Sequence, residues 1–98
     1  MTRSESEFHT AVRSWLLDAF EHVEHEVTLP SGRRPDFIAY TPFESYVIEV
    51  ESSGGKVYEA IGQISVYAHE TGHTPVVVFP ADSPPDGPIP EHIHVVTL

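Results

Sequence analysis

Hydrophobic residues recur every three or four positions near the start of the chain, which is the spacing of one face of an α-helix. The stripe consists of Phe8, Val12, Trp15, Leu16, Ala19 and Val23. It predicts a helix over residues 4–22. Ser4, with Glu7 three residues later, has the pattern of a capping box at the start of this helix.

Three short segments after this helix either alternate between apolar and polar residues or are almost wholly apolar, as β-strands do. They cover residues 24–29, 37–40 and 46–51. Turn-forming residues separate them, at 30–34 and around Pro42. The pattern therefore predicts three consecutive strands.

The second half of the chain predicts a helix, a buried strand and a weaker last strand. Residues 56–69 carry an apolar stripe at helical spacing, and Gly72 follows as a helix-ending residue. Residues 75–79 are almost continuously apolar, which is typical of a strand buried on both faces. Four prolines and a glycine in residues 81–90 predict a surface loop, and residues 92–98 alternate weakly, as an edge strand would.

No internal repeat and no long linker divides these 98 residues, so we expect a single domain over residues 1–98. The order of predicted elements is a helix, three strands, a helix and one or two strands. This order indicates an α/β fold in which helices flank a mixed sheet of four or five strands.

The charge balance changes the view of possible partners. Fifteen acidic residues face five basic ones, which gives a formal net charge of −10, and Lys56 is the only lysine. Contact with nucleic acid normally depends on Lys and Arg, so this balance disfavours it at low salt. At about 1 M ionic strength the Debye length is only about 3 Å, and the repulsion largely disappears. We therefore interpret the acidic surface as that of a halophilic protein, with a plain acidic domain as the alternative.

The sequence lacks cysteine, membrane-spanning and signal-peptide features, and this narrows the possible protein class. The chain has no cysteine, which excludes disulfides and thiolate metal sites. No apolar run approaches the length of a membrane span, and residues 1–5 lack the apolar stretch of a secretory signal. We expect a cytoplasmic protein with no membrane partner.

Acidic residues occur at corresponding places in two neighbouring predicted strands. Asp36 follows Pro35 at the start of the second strand, while Glu49 and Glu51 alternate with apolar residues in the third. Alternating positions of a strand share one face, so Glu49 and Glu51 lie together on the face opposite the aliphatic residues. Carboxylate oxygens are the ligands that Mg²⁺ and Mn²⁺ prefer. The sequence therefore predicts a divalent metal site formed by three acidic groups.

A series of motif residues in this region resembles the PD-(D/E)XK nuclease superfamily, in particular its archaeal Holliday junction resolvase-like and RecB-like branches. The series is Pro35-Asp36, Glu49-Val50-Glu51, and then Gln63 and Tyr67 in the next helix. The predicted elements also resemble the restriction-endonuclease-like αβββαβ core. The lysine of the family motif is replaced here by Glu51, as it is in some restriction endonucleases of the superfamily.

The resemblance implies a metal-dependent (endo)deoxyribonuclease that hydrolyses DNA phosphodiesters, including those of branched recombination or repair intermediates. It implies Mg²⁺ or Mn²⁺ as cofactor and a homodimer as the working form. The implied metal ligands are Glu5, Asp36, Glu49 and the carbonyl of Val50. The implied catalytic residues are Asp36, Glu49, Glu51, Lys56, Gln63 and Tyr67. Glu5 has an alternative interpretation, as an exposed residue favoured by the dipole at a helix start.

The individual roles follow from the chemistry of phosphodiester hydrolysis. Glu51 is expected to act as a general base or to bind a second metal ion, and Lys56 to supply the missing ammonium group. Arg33 and Arg34 are expected to bind phosphate oxygens of DNA, or else to pair with surface carboxylates. The pair Gly54-Gly55 fits either a phosphate cradle or a simple turn.

Two other functions compete with the nuclease. Glu51 and the acidic surface favour a catalytically degenerate module that binds nucleic acid or a protein. The run His69-Glu70-Thr71-Gly72-His73 fits the zinc-peptidase signature H-E-x-x-H. That chemistry needs both histidines on one helical face, whereas Gly72 predicts that the helix ends inside the motif, so we favour a chance match. The remaining N-terminal histidines, His9, His22 and His25, are interpreted as surface residues.

Overall fold

A computed structural model describes residues 4–98 of the protein. Its helices are α1 (Glu5–Ala19) and α2 (Val57–Thr71), with a 3₁₀ turn at Gly54–Lys56. Its strands are β1 (His22–His25), β2 (Phe37–Tyr40), β3 (Ser45–Val50), β4 (Thr74–Phe79) and β5 (His94–Thr97). The prediction of a mixed α/β fold is confirmed. No helix within residues 4–98 is both long and apolar enough to cross a bilayer.

The five strands form one mixed sheet in the order β1-β2-β3-β4-β5. The first three strands are antiparallel neighbours, with Phe37 opposite Ile48 between β2 and β3. The last three are parallel, with Glu49 opposite Val77 between β3 and β4. Parallel neighbours need a crossover connection, which α2 supplies between β3 and β4.

Each face of the sheet is covered by one helix. Ile38, Val47 and Val77 point towards α2 and pack with Ile64 and Tyr67. The neighbouring residues in the same strands point the other way because side chains alternate along a strand. The second core consists of Phe8, Val12 and Leu16 of α1 with Phe37, Ile48 and Val78 of the sheet. Burial of each large aliphatic side chain stabilises the fold by about 1.5–3 kcal/mol, so both layers matter.

The start of the chain differs from the prediction in its boundaries. The capping box is present, with Ser4 Oγ accepting from the Glu7 N–H, but α1 ends at Ala19 and not at residue 22. Phe20 takes an extended conformation, and β1 therefore begins at His22. The predicted strand 24–29 is wrong beyond His25. Glu26 has a positive φ of 52°, which bends the chain out of the sheet.

The loop between β4 and β5 packs against the segment just before α2. Ser83 Oγ accepts a hydrogen bond from the Gly54 N–H at 3.1 Å, and the Asp86 N–H donates to the Gly54 carbonyl at 3.0 Å. A Cβ atom on Gly54 would lie 1.6 Å from the carbonyl oxygen of Pro84. Glycine is therefore required by close backbone approach, and the interpretation of Gly54-Gly55 as a turn fits better than a phosphate cradle.

Candidate functional site

Asp36 and Glu49 meet at one end of the sheet. The register of β2 and β3, continued by one residue beyond Phe37 and Ile48, places them directly opposite each other on the face that α2 covers. The Asp36 N–H donates to Glu49 Oε1 at 3.0 Å, and the Val50 N–H donates to Asp36 Oδ2 at 2.9 Å. Each carboxylate thus uses one oxygen to hold the backbone of the opposite strand.

Pro35 explains why the side chains of Asp36 and Glu49, and not backbone groups, complete the hydrogen bonding between β2 and β3 at this end. The same register, continued by two residues, sets Pro35 opposite Val50. Proline has no N–H, so it cannot donate to the Val50 carbonyl in a regular antiparallel pair. The Val50 N–H is satisfied by Asp36 instead. The Val50 carbonyl, an expected metal ligand, therefore lies at the point where the β2–β3 pairing ends.

Burial and mutual repulsion make both carboxylates reluctant to ionise. Glu49 is only 6% exposed. Burial, followed by the negative charges of Asp36 and Glu51, raises the pKa of Glu49 to about 8 against the Asp36 N–H bond, which lowers it. Burial also raises the pKa of Asp36, opposed mainly by the hydrogen bond from Val50. The hydrogen-bond partners of the pair are backbone N–H groups, and no cation among them favours ionisation.

Glu51 extends the acidic cluster beyond the end of β3. Burial raises the pKa of Glu51, and the charges of Asp36, Glu59 and Glu5 raise it further, whereas Lys56 lowers it. Lys56 ends the 3₁₀ turn that leads into α2, and Glu5 is exposed at the start of α1. The structure thus brings Glu51 within electrostatic range of Asp36, with Lys56 and Glu5 on its flanks.

Gln63 and Tyr67 approach the cluster from α2. Gln63 Nε2 donates to Tyr67 Oη at 3.1 Å. Burial is the largest cause of the raised pKa of Tyr67, and the charges of Glu49 and Asp36 add to it. Tyr67 therefore lies close enough for the charges of both carboxylates to raise its pKa. A shallow groove of about 320 Å³ runs beside it, lined by Arg33, Gly62, Gln63, Val66 and Tyr67.

The two expected phosphate-binding arginines are paired with carboxylates. Arg33 Nη1 lies 3.7 Å from Glu70 Oε1, and Arg34 Nη2 lies 3.9 Å from Glu26 Oε2. Both arginine side chains are more than half exposed. Such exposed pairs contribute little stability, so a stronger phosphate ligand can compete for the guanidinium groups. The pairing matches the second of the two roles expected from the sequence.

The peptidase motif does not have the geometry that zinc requires. Helix α2 ends at Thr71, and Gly72 follows in the left-handed conformation with φ 72°. His73 therefore leaves the helical face that carries His69, and its Nδ1 lies 2.6 Å from Ser45 Oγ. Glu70, the would-be general base, accepts hydrogen bonds from the Ser31 backbone N–H and hydroxyl. The structure rules out the helical zinc arrangement at this motif.

Two histidines interpreted as surface residues lie near the carboxylates. The charges of His9 and His25 both act on Asp36 and lower its pKa. His25 pairs with Phe37 in the register of β1 and β2, and its ring stacks on Phe37 at a centroid distance of 4.9 Å. No local pattern in the sequence indicates this proximity, because it depends on the pairing of β1 with β2.

The described residues, 4–98, contain no group of three or more His, Asp or Glu side chains arranged to hold a metal ion. Asp36 and Glu49 are linked through backbone hydrogen bonds. Glu51 interacts with Asp36 only electrostatically. Comparisons with protein-family models, with curated proteins and with solved structures found no match to this chain. Function is therefore inferred from the chemistry of the cluster, which combines adjacent carboxylates with an ammonium and a phenol group.

Proposed function

We propose that the protein is a divalent-metal-dependent DNA nuclease with a restriction-endonuclease-like core. The observation that supports it is the cross-strand pair of Asp36 and Glu49 with Glu51 alongside, next to Tyr67 and Lys56. Acidic groups held together in a partly buried place, with raised pKa values, are candidates for a functional site. The αβββαβ order of the family resemblance also agrees with the element order of the chain.

The carboxylate pair fits a hard cation in its donor chemistry. Mg²⁺ is usually held by one or two carboxylates together with water and substrate phosphate, so a complete protein cage is not needed. Asp36, Glu49 and the Val50 carbonyl would hold the ion, with Glu5 and Glu51 close by. A bound cation would also relieve the repulsion that raises the pKa of Glu49. When bound, the ion polarises the phosphoryl oxygen and lowers the pKa of an attacking water.

The neighbouring side chains would act on protons and on the substrate. Glu51 would accept a proton from the attacking water, and its raised pKa makes it a better base near neutral pH than an exposed glutamate. Lys56 would orient the Glu51 carboxylate or the phosphate. Gln63 would fix the Tyr67 hydroxyl, which would donate to a phosphate oxygen. A homodimer would place two such sites across one DNA duplex.

A catalytically degenerate binding module is the second candidate. It is favoured because Asp36 and Glu49 each hold a backbone N–H, as purely structural carboxylates also do. The pairing of Arg33 with Glu70 agrees with it. Such a module would bind DNA or a protein partner without cutting.

Cleavage by matched variants separates the two candidates. Linear, supercoiled and branched DNA are incubated with the protein in high KCl, with Mg²⁺ or Mn²⁺. Asp36→Asn and Glu49→Gln keep an oxygen to accept the backbone hydrogen bonds but lose the charge. Loss of a ligand group is expected to slow cleavage by roughly 100-fold or more while the fold is retained. Glu24→Gln is the control, a half-buried carboxyl on the same sheet that accepts from the Tyr40 hydroxyl.

Each outcome selects one function. Cleavage by the wild type that is lost in Asp36→Asn and Glu49→Gln but kept in Glu24→Gln supports the nuclease. Binding of DNA without cleavage by the wild type supports the binding module. Cleavage that survives both site substitutions would assign the activity to a contaminant or to another site and would overturn the proposal.

A further inference from the structure

The acidic cluster needs hydrogen-bond donors if it is to receive a phosphate anion. A protein with a net charge of −10 repels DNA at low salt. Arg33 and Arg34 were the expected donors, but both are paired, with Glu70 and Glu26. Lys56 lies on the side of Glu51. Tyr67 and Gln63 offer donors from the α2 side of the sheet, so any further donor near Asp36 would have to come from the α1 side.

His25 is held in a defined position on that side. It ends β1 directly opposite Phe37, one residue from Asp36, and its ring stacks on the Phe37 ring with an interplanar angle of 18°. The following residue, Glu26, donates its N–H to the Asp36 carbonyl at 3.1 Å, which ties the end of β1 to the site. His25 is nevertheless exposed, so its ring nitrogens are accessible to a ligand.

His9 belongs to α1, the helix that covers the Phe37 face of the sheet. It follows the buried Phe8 and is itself half-buried. Its charge acts on Asp36, as does that of His25. Phe8 and Phe37 belong to the core between α1 and the sheet, whereas Tyr67 belongs to the core between α2 and the sheet. The two histidines therefore flank Asp36 from the α1 layer, while Tyr67 and Gln63 approach from the α2 layer.

We propose that His25 and His9 are substrate-contact residues that donate hydrogen bonds to a DNA phosphate held beside Asp36. This inference rests on the proposed nuclease function. An imidazole keeps one N–H donor when neutral and has two when protonated, so the contact does not require a change of charge. With donors from both layers, the phosphate would be gripped across the end of the sheet.

The test compares variants that differ only in their donors. His25→Phe keeps an aromatic ring to stack on Phe37 but removes both nitrogens, whereas His25→Gln keeps an N–H donor. His9→Gln and His9→Leu form the same contrast at the second position. His22→Phe is the control, because His22 lies at the other end of β1 and contacts the ring of Tyr40. Thermal melts establish that each variant is folded.

Binding is measured by fluorescence anisotropy with a labelled DNA duplex in KCl and Ca²⁺, and KM and kcat are then measured with Mn²⁺. His25→Phe and His9→Leu are each expected to raise Kd and KM by roughly tenfold, the effect of one hydrogen bond to a charged group. Retention of a donor in His25→Gln and His9→Gln should restore part of this loss. His22→Phe should bind as the wild type does.

The two proposals fail in different ways. If the wild type neither binds nor cleaves DNA, the nuclease function fails and the histidine contacts fail with it. If the wild type cleaves DNA and the double variant His9→Leu/His25→Phe keeps its Kd and KM, only the histidine contacts are refuted. A loss of kcat at unchanged KM in the double variant also refutes them, since it would indicate a role other than holding substrate.

Discussion

Glu49 carries a carboxyl group into a part of the sheet that water barely reaches. Its pKa is raised to about 8 by burial and by the charges of Asp36 and Glu51, from an ordinary value of 4.5. Between these two values the folded protein keeps a proton that the unfolded chain releases. The proton therefore contributes stability that is fully present below about pH 4.5 and is lost as the pH rises through about 8. The raised pKa values of Asp36 and Glu51 act in the same direction.

We expect Glu49→Gln to remove most of this pH dependence. The amide stays neutral at every pH and still offers an oxygen to the Asp36 N–H. Urea unfolding at pH 5, 7 and 9 should show the wild type losing on the order of 1 kcal/mol of stability for each pH unit until Glu49 ionises, while the variant loses less. Equal slopes for both proteins would show that Glu49 is ionised in the folded state at neutral pH.

The carboxylate residues were predictable from sequence, but their surroundings were not. Asp36 directly precedes β2 and Glu49 lies in β3, so their position opposite each other follows from the register of the two strands. The proximity of His25 could not be inferred, because it depends on how β1 pairs with β2. The pairing of Arg33 with Glu70 joins residues far apart in the chain, and no local pattern encodes it.

Strands with a strong hydrophobic pattern are predicted from the sequence almost to the residue. The predictions 37–40, 46–51 and 75–79 agree with β2, β3 and β4 to within one residue at each end. The predicted end of β1 is wrong because the alternation of apolar and polar residues continues past His25. The chain nevertheless leaves the sheet at Glu26, which has a positive φ. The end of α1 was misplaced for a related reason. Val23 continues the apolar spacing of the helix but belongs to a strand, where it packs against the same core.

Gly54 and Gly55, the two glycines before α2, differ in how much space surrounds them. Gly54→Ala should destabilise the protein by about 1–3 kcal/mol, because its Cβ atom would collide with the backbone of Pro84. Gly55→Ala is the matched control, since the nearest atom to its Cβ would be Ser53 Oγ at 3.8 Å. Chemical unfolding of the two variants measures the difference. Equal stabilities would mean that the loop over residues 80–93 is not held against Gly54 in solution.

The whole molecule must fold despite a formal net charge of −10. Two ion pairs, Arg33–Glu70 and Arg34–Glu26, are found in the described part of the chain, each with an exposed arginine. They neutralise only a small part of the acidic surface. The remaining repulsion is screened over about 10 Å at 0.1 M salt and over about 3 Å at 1 M.

We therefore expect KCl to stabilise the protein. Raising KCl from 0.1 to 2 M should increase the free energy of unfolding by on the order of 1 kcal/mol, which corresponds to roughly 4–8 °C in Tm for a domain of this size. Differential scanning fluorimetry measures the shift. A triple variant, Asp18→Asn/Asp82→Asn/Glu91→Gln, removes exposed charge and should respond less. A Tm that is independent of KCl would contradict the halophilic interpretation of the surface.

The hydrogen bonds by which Asp36 and Glu49 close the β2–β3 ladder have an evolutionary consequence. Under the proposed nuclease function, a descendant chain that lost hydrolysis would still be selected to keep an acid or an amide at these two positions, because they accept hydrogen bonds that close the ladder. The Glu51 side chain does not hold the β2–β3 ladder together in this way. Substitution of Glu51, with positions 36 and 49 unchanged, would therefore be the first sequence change expected in homologues that no longer cleave DNA.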